Sequence, residues 1–75
     1  MRVPETEAPT FTVRLNGESA ALPAGATVAT VTERLAVRGR YAVELNGEIV
    51  PRSDHGSRAL RAGDVIEVVH AIGGG

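Results

Sequence analysis

The sequence contains no cysteine. It can form no disulfide, and it offers neither a thiol nucleophile nor a thiolate metal ligand. Lysine is also absent, because all eight basic residues are arginine. No internal amine can accept an isopeptide bond, so chains linked through lysine cannot be built on this protein. Tryptophan is missing, and Phe11 and Tyr41 are the only aromatic residues, too few for a platform on which bases stack. A net charge of −1 argues further against general nucleic-acid binding. No apolar run approaches the roughly 20 residues of a membrane span. The segment Met1 to Pro9 lacks the apolar centre of a secretory signal. The expected location is the cytoplasm.

What remains is one small domain that folds on its apolar core alone. Residues 1–9 carry two prolines, two glutamates and no hydrophobic period, which predicts a flexible leader. Residues 10–72 form the expected domain, and residues 73–75, all glycine, a flexible tail. Within the domain, Phe11, Val13 and Leu15 alternate with polar residues, the signature of a strand with one buried face. Asn16-Gly17 follows, and both residues tolerate the positive φ of a tight type I′ hairpin. Glu18 to Leu22 is the return strand at a sheet edge, stopped by Pro23. Thr27 is a good N-cap, ahead of Val28, Val31 and Leu35 at helical spacing. Thr30 with Glu33 is an alternative capping box, but Thr27 keeps Val28 in the apolar stripe. The helix is predicted to run to about Arg38, with Gly39 as its C′ stop. Arg34 and Arg38, four apart and alike in charge, read as solvated surface.

Tyr41, Val43 and Leu45 alternate again, Asn46-Gly47 repeats the hairpin signal, and Glu48-Ile49-Val50 is a short strand ended by Pro51. Residues 52–58 read as polar turns, Leu60 as a core plug, and Val65 to Ile72 as a last strand with Ile66 and Val68 inside. The order β-β-α-β-β-β has one helix to cover one face of a sheet. The most continuous apolar strand suits the centre, and a right-handed crossover lets strands on either side of the helix pair in parallel. These conditions give an α+β fold: a β-grasp roll, with a mixed sheet of about five strands in order 2-1-5-3-4 packed on one helix. A ferredoxin-like fold would need a second helix where residues 52–60 are too polar and glycine-broken.

No catalytic site emerges. Ser53-Asp54-His55 holds triad residue types, but adjacent residues cannot supply triad geometry. His55 and His70 lack a second-ligand motif, so no metal site is expected. No bound cofactor is expected either. That leaves Gly73, Gly74 and Gly75. Fraying or an appended remnant is one reading of them. The other is chemical. An ionised Gly75 α-carboxylate can attack the α-phosphate of a nucleotide to give an acyl-adenylate, and such an anhydride reacts with sulfur or amine nucleophiles. Glycine, lacking Cβ, passes a narrow channel. Val65 and Val69 face away from the helix. They are either a partner-docking patch or a surface covered by a loop.

The segments Val13-Arg14-Leu15-Asn16-Gly17, Gly25-Ala26-Thr27-Val28 and Val43 to Arg52 (VELNGEIVPR), with Ala62 to Gly75 (AGDVIEVVHAIGGG), together resemble the ThiS family, the ubiquitin-like sulfur carriers of thiamine biosynthesis. The resemblance spans about residues 10–75, and residues 1–9 have no counterpart in it. It implies a carrier that is not itself an enzyme. An E1-like adenylyltransferase of the ThiF type would use ATP and magnesium to adenylate Gly75. A cysteine desulfurase or other sulfur donor would convert it to a thiocarboxylate, and a thiazole synthase of the ThiG type would take the sulfur. Gly73 and Gly74 would thread the partner's channel, and Val65, Val69 and Ile72 would contribute to docking. The alternatives are a carrier of the molybdopterin or cysteine routes, a ubiquitin-like protein modifier, and an interaction module with an inert tail.

Overall fold

In a computed structural model of the protein, residues 9–70 are described. Alternating side chains build most of the architecture. The elements are β1 (Thr10–Leu15), β2 (Glu18–Pro23), α1 (Val28–Leu35), β3 (Tyr41–Leu45), β4 (Glu48–Val50) and β5 (Val65–His70), with a 3-10 turn at Arg52–Asp54. The strands make one sheet in the order β2-β1-β5-β3-β4. β1 runs antiparallel to β2 and parallel to β5, while β3 runs antiparallel to both β4 and β5. This is the β-grasp arrangement that the sequence predicts, with β5 at the centre.

One face of the sheet supplies Val13, Leu15, Leu22, Val43, Leu45, Val50 and Ile66 to the core, where they meet Val28 and Val31 of α1. Leu60 plugs this core from the connection before β5. Both Asn-Gly turns carry positive φ at both positions: 51° and 85° at Asn16 and Gly17, 53° and 87° at Asn46 and Gly47. That is the type I′ requirement, met by the residues that tolerate it best. Pro23 ends β2 from within it, paired with Thr10. A proline is admissible there because β2 is an edge strand.

Helix α1 begins where expected but ends early. Thr27 is its N-cap. The Thr27 N–H donates to Thr30 Oγ1 at 3.0 Å, so a threonine fills the place usually held by Glu or Gln in a capping box. The first two helical N–H groups, of Val28 and Ala29, donate to the carbonyls of Arg58 and His55 at 3.0 and 2.9 Å. The polar 52–60 connection is thus a cap on the helix, satisfying donors that have no intrahelical partner. At the other end the helix stops at Leu35, not near Arg38. Ala36, not Gly39, takes the left-handed conformation, at φ 53°. Ala36 N–H donates to Glu33 O at 3.1 Å and Val37 N–H to Thr32 O at 3.2 Å, the paired bonds of a Schellman motif. Non-glycine residues in that region cost about 1–2 kcal/mol. The early stop is therefore imposed by the need to turn the chain towards β3, and not by local preference.

Two side-chain placements change as a result. Arg38 lies beyond the helix, and Arg34 is the basic residue of its last turn. Arg34 is not simply solvated: its Nη1 donates to Ala21 O at 2.7 Å, tying the helix to the edge strand. Leu35, at the final helical position, is 39% exposed and sits at the rim of the core.

Candidate functional site

The candidate site is the central strand and what lies beyond it. Of the residues singled out in the sequence, Ile72, Gly73, Gly74 and Gly75 lie outside the described residues, as does the 1–8 part of the expected leader. Val65 and Val69 belong to β5 and are 41% and 49% exposed. Their alternation with buried Ile66 and half-buried Val68 places them on the sheet face opposite α1. No loop of the described residues covers them.

The strand is held from both sides by the hairpin turns. Asn16 N–H donates to Ile66 O at 2.9 Å, and Asn16 Oδ1 accepts the Val68 N–H at 2.8 Å. Asn46 N–H donates to Val65 O at 2.8 Å, and Asn46 Oδ1 accepts the Val65 N–H at 2.9 Å. Asn46 is itself oriented by Asp64, whose Oδ1 accepts from Nδ2 at 3.1 Å. Asp64 Oδ2 also accepts the Arg61 N–H at 2.7 Å, closing the turn before the strand. The Asn-Gly signals therefore have a second use. Their side chains complete the hydrogen bonding of β5 where its neighbours' backbones do not reach it. The signal was present in the sequence, since asparagine rather than aspartate stands at both turns. Its partner strand was not legible, because the contacts span 52 and 19 residues.

His55 is a second residue that sequence reasoning undervalued. It is buried. Its Nε2 bonds to Val50 O at 3.1 Å, and because a carbonyl only accepts, Nε2 carries the proton. The ring lies 6.1 Å from that of Tyr41, and the Arg52 guanidinium stacks 4.2 Å over the other aromatic centre, Tyr41. This stack secures the 52–58 connection against β3. Ser53, Asp54 and His55 form no triad. The imidazole is committed to a backbone carbonyl, and Ser57 and Arg58 N–H groups donate to Asp54 O. Among the described residues, no group of three or more His, Cys, Asp or Glu side chains could hold a metal ion, and no helix is long and apolar enough to cross a membrane.

Comparison with known proteins bears on this geometry. The ThiS family model matches residues 13–75. The chain is 44% identical over 62 residues to a thiazole synthase of Paramagnetospirillum magneticum; the match covers 81% of this chain and 19% of that protein. The chain therefore spans about a fifth of the length of that relative. It is also similar to the solved structure of the thiamine biosynthesis protein ThiS from Geobacter metallireducens. The TM-score there is 0.72 at 26% identity, covering 87% of this chain and all of the other.

Proposed function

The chain belongs to the ThiS family, and from that premise we propose that it is a sulfur carrier for thiazole formation, acted on by partner enzymes and catalysing nothing itself. The observation that carries this reading is the family match running through Gly75, beyond a strand gripped on both sides by Asn16 and Asn46. A strand held in this way gives partners a fixed reference from which the following residues reach an active site.

The chemistry follows from the Gly75 carboxylate. A ThiF-type adenylyltransferase binds ATP and magnesium. A carboxylate oxygen attacks the α-phosphorus, a C–O–P anhydride forms, and pyrophosphate leaves. The terminal sulfur of a desulfurase persulfide then attacks the Gly75 carbonyl, and AMP leaves. A second thiol attacks the resulting S–S bond, freeing the thiocarboxylate and leaving a disulfide on the donor. Gly73 and Gly74 suit the channel because they carry no side chain. Val65, Val69 and Ile72 are the proposed docking residues. A ThiG-type thiazole synthase is the proposed acceptor. The supporting observation is that a ThiS-like segment makes up 19% of a chain named thiazole synthase. Joining carrier and acceptor covalently raises their effective concentration to the millimolar range for short linkers.

The test is intact mass after incubation with the adenylyltransferase, ATP, magnesium and a sulfur donor. One oxygen of the chain is expected to be replaced by sulfur, and a variant lacking Gly75 is expected to stay unmodified. Uncleaved loading of a chain extended beyond Gly75 would overturn the terminal-carboxylate mechanism. Stable adducts to other proteins would support a modifier instead. Transfer of the sulfur to a molybdopterin precursor rather than to thiazole would move the carrier to another route.

A further inference from the structure

The two edges of the sheet turn different backbone groups to solvent. A two-residue turn makes the pair that flanks it a hydrogen-bonded one, and bonded and non-bonded pairs then alternate along the ladder. In the first hairpin the bonded pairs are therefore Leu15↔Glu18, Val13↔Ala20 and Phe11↔Leu22. The backbone polar groups of Ser19, Ala21 and Pro23 point the other way, off the outer side of β2. The same parity holds on β1: Arg14 N–H donates to Asp64 O and Thr12 O accepts from Gly63 N–H, both at 2.9 Å and both away from β2. Among the described residues no strand lies beyond β2. An edge of this kind is a template for a further strand, and Ser19 and Ala21 are exposed there with short side chains. Yet it is largely closed. Pro23 has no N–H, and its carbonyl accepts from Ala26 N–H at 3.1 Å. The Ala21 carbonyl accepts from Arg34 Nη1 at 2.7 Å, a short, charge-assisted bond sent across from α1. At the opposite edge β4 has three residues, and only Ile49, the register partner of Glu44, turns both of its backbone groups outward. That edge is too short to need a guard.

We propose that Arg34 guards the β2 edge, and that withdrawing its guanidinium lets β2 pair antiparallel with β2 of a second copy of the chain, centred on Ala20. Hydrogen bonding selects this register. With Ala20 opposite Ala20, each Ser19 faces Ala21 of the other copy, and each such pair exchanges both of its N–H···O bonds. Centring on Ala21 instead sets Ser19 against Pro23, which has no N–H to return. The acceptors of the favoured ladder are the carbonyls of Ser19 and Ala21, and the Ala21 carbonyl is the atom that Arg34 occupies. Two-fold pairing makes the edge its own complement. Serine and alanine stand where the strands meet, and Glu18 falls opposite Leu22, so neither bulk nor like charge opposes the approach. What opposes it is Arg34. Each copy must give up a charge-assisted bond to join, in addition to the entropy lost on association, and the chain stays monomeric. β1 separates this edge from β5, and the guard does not depend on the sulfur chemistry.

The experiment is sedimentation velocity on the full chain over about a hundredfold range of concentration, with Arg34→Met, Arg34→Ala and the double variant Arg34→Met/Ala21→Pro. Arg34→Met keeps an unbranched stem and good helix propensity but cannot donate. The wild type is expected to remain monomeric. Both single variants are expected to dimerise, with self-association at least about tenfold tighter than in the wild type, while far-ultraviolet circular dichroism stays native. Ala21→Pro removes an outward N–H that β1 does not use, which an edge strand tolerates, and is expected to return the double variant to monomer. Hydrogen exchange adds a readout that a weakened helix would not move. In the dimers the Ser19 and Ala21 amides gain protection as concentration rises, whereas Ala20 and Leu22, bonded to β1, do not change. Should the double variant not fold, this exchange pattern decides alone. Monomeric single variants with native circular dichroism overturn the guard, and so does dimerisation of the wild type through this edge. Association that leaves Ser19 and Ala21 unprotected, or that persists in a folded double variant, also overturns it, because another surface is then pairing.

Discussion

The two Asn-Gly hairpins are near copies as turns and opposites as parts of the sheet. Their φ values are 51° and 85° against 53° and 87°. The first joins two six-residue strands with six registered pairs. The second returns through a strand of three residues. Towards β5 the ranking inverts: β1 shares two registered pairs with it, in parallel, and β3 shares five, antiparallel. The first hairpin is therefore extensive in itself and lightly tied to the central strand, while the second is short and firmly tied. One local code thus serves two tertiary roles, and what separates them is the direction of the flanking strand relative to β5. The asparagine side chains reflect the same split. Asn16 holds Val68 by one bond, whereas Asn46 holds Val65 and is itself held by Asp64.

The contrast is most strongly tested by truncating the outermost core residue of each hairpin. Leu22 is fully buried on β2 and Val50 nearly so on β4. Leu22→Ala is expected to cost about 2–5 kcal/mol. Val50→Ala removes two carbon groups at about 0.8 kcal/mol each, plus a cavity contribution. Urea unfolding should rank Leu22→Ala above Val50→Ala. The reverse order would mean that the short hairpin carries more of the core than its length implies.

A smaller effect is expected at the asparagines. Asn46→Ala should cost about 2 kcal/mol or slightly more, because it frees the Val65 N–H and the Asp64 carboxylate together; Asn16→Ala should cost about 1 kcal/mol. Hydrogen exchange gives the sharper readout. Asn46→Ala is expected to accelerate exchange chiefly at Val65, and Asn16→Ala chiefly at Val68. Equal acceleration along all of β5 in both variants would show that the strand loosens as one unit and is not pinned at two points. The smallest difference is expected at the glycines. No atom lies within 4 Å of a Cβ built at Gly17 or Gly47, so only the positive φ matters. Gly17→Ala and Gly47→Ala should each cost about 1–2 kcal/mol, with midpoints equal within error.

Several features were legible because their causes are local. The alternation in Phe11 to Leu15 and in Tyr41 to Leu45, the Asn-Gly turns and the Thr27 cap all depend on neighbouring residues. The sheet order was also accessible, because a single helix and one continuously apolar strand leave few arrangements. The helix end was missed because Ala36 accepts a conformation it disfavours once Thr32 and Glu33 supply the closing bonds. His55 looked like an incidental turn residue because its partners, Val50 and Tyr41, come from β4 and β3 respectively. Arg34 looked solvated because Ala21 lies thirteen positions away. Of the candidate site, the exposure of Val65 and Val69 followed from period two alone.

By itself the sequence determined which faces are apolar, where the chain reverses, and that the described core has one helix to cover it. These are consequences of side-chain alternation and backbone preference over a few residues. Tertiary structure alone decided that both turn asparagines grip β5, that the 52–60 connection caps α1, and that Val69 stands beside Ala42 of β3. Each of those depends on strands being brought side by side in one register, and register arises from the packing of the whole sheet, not from any segment within it.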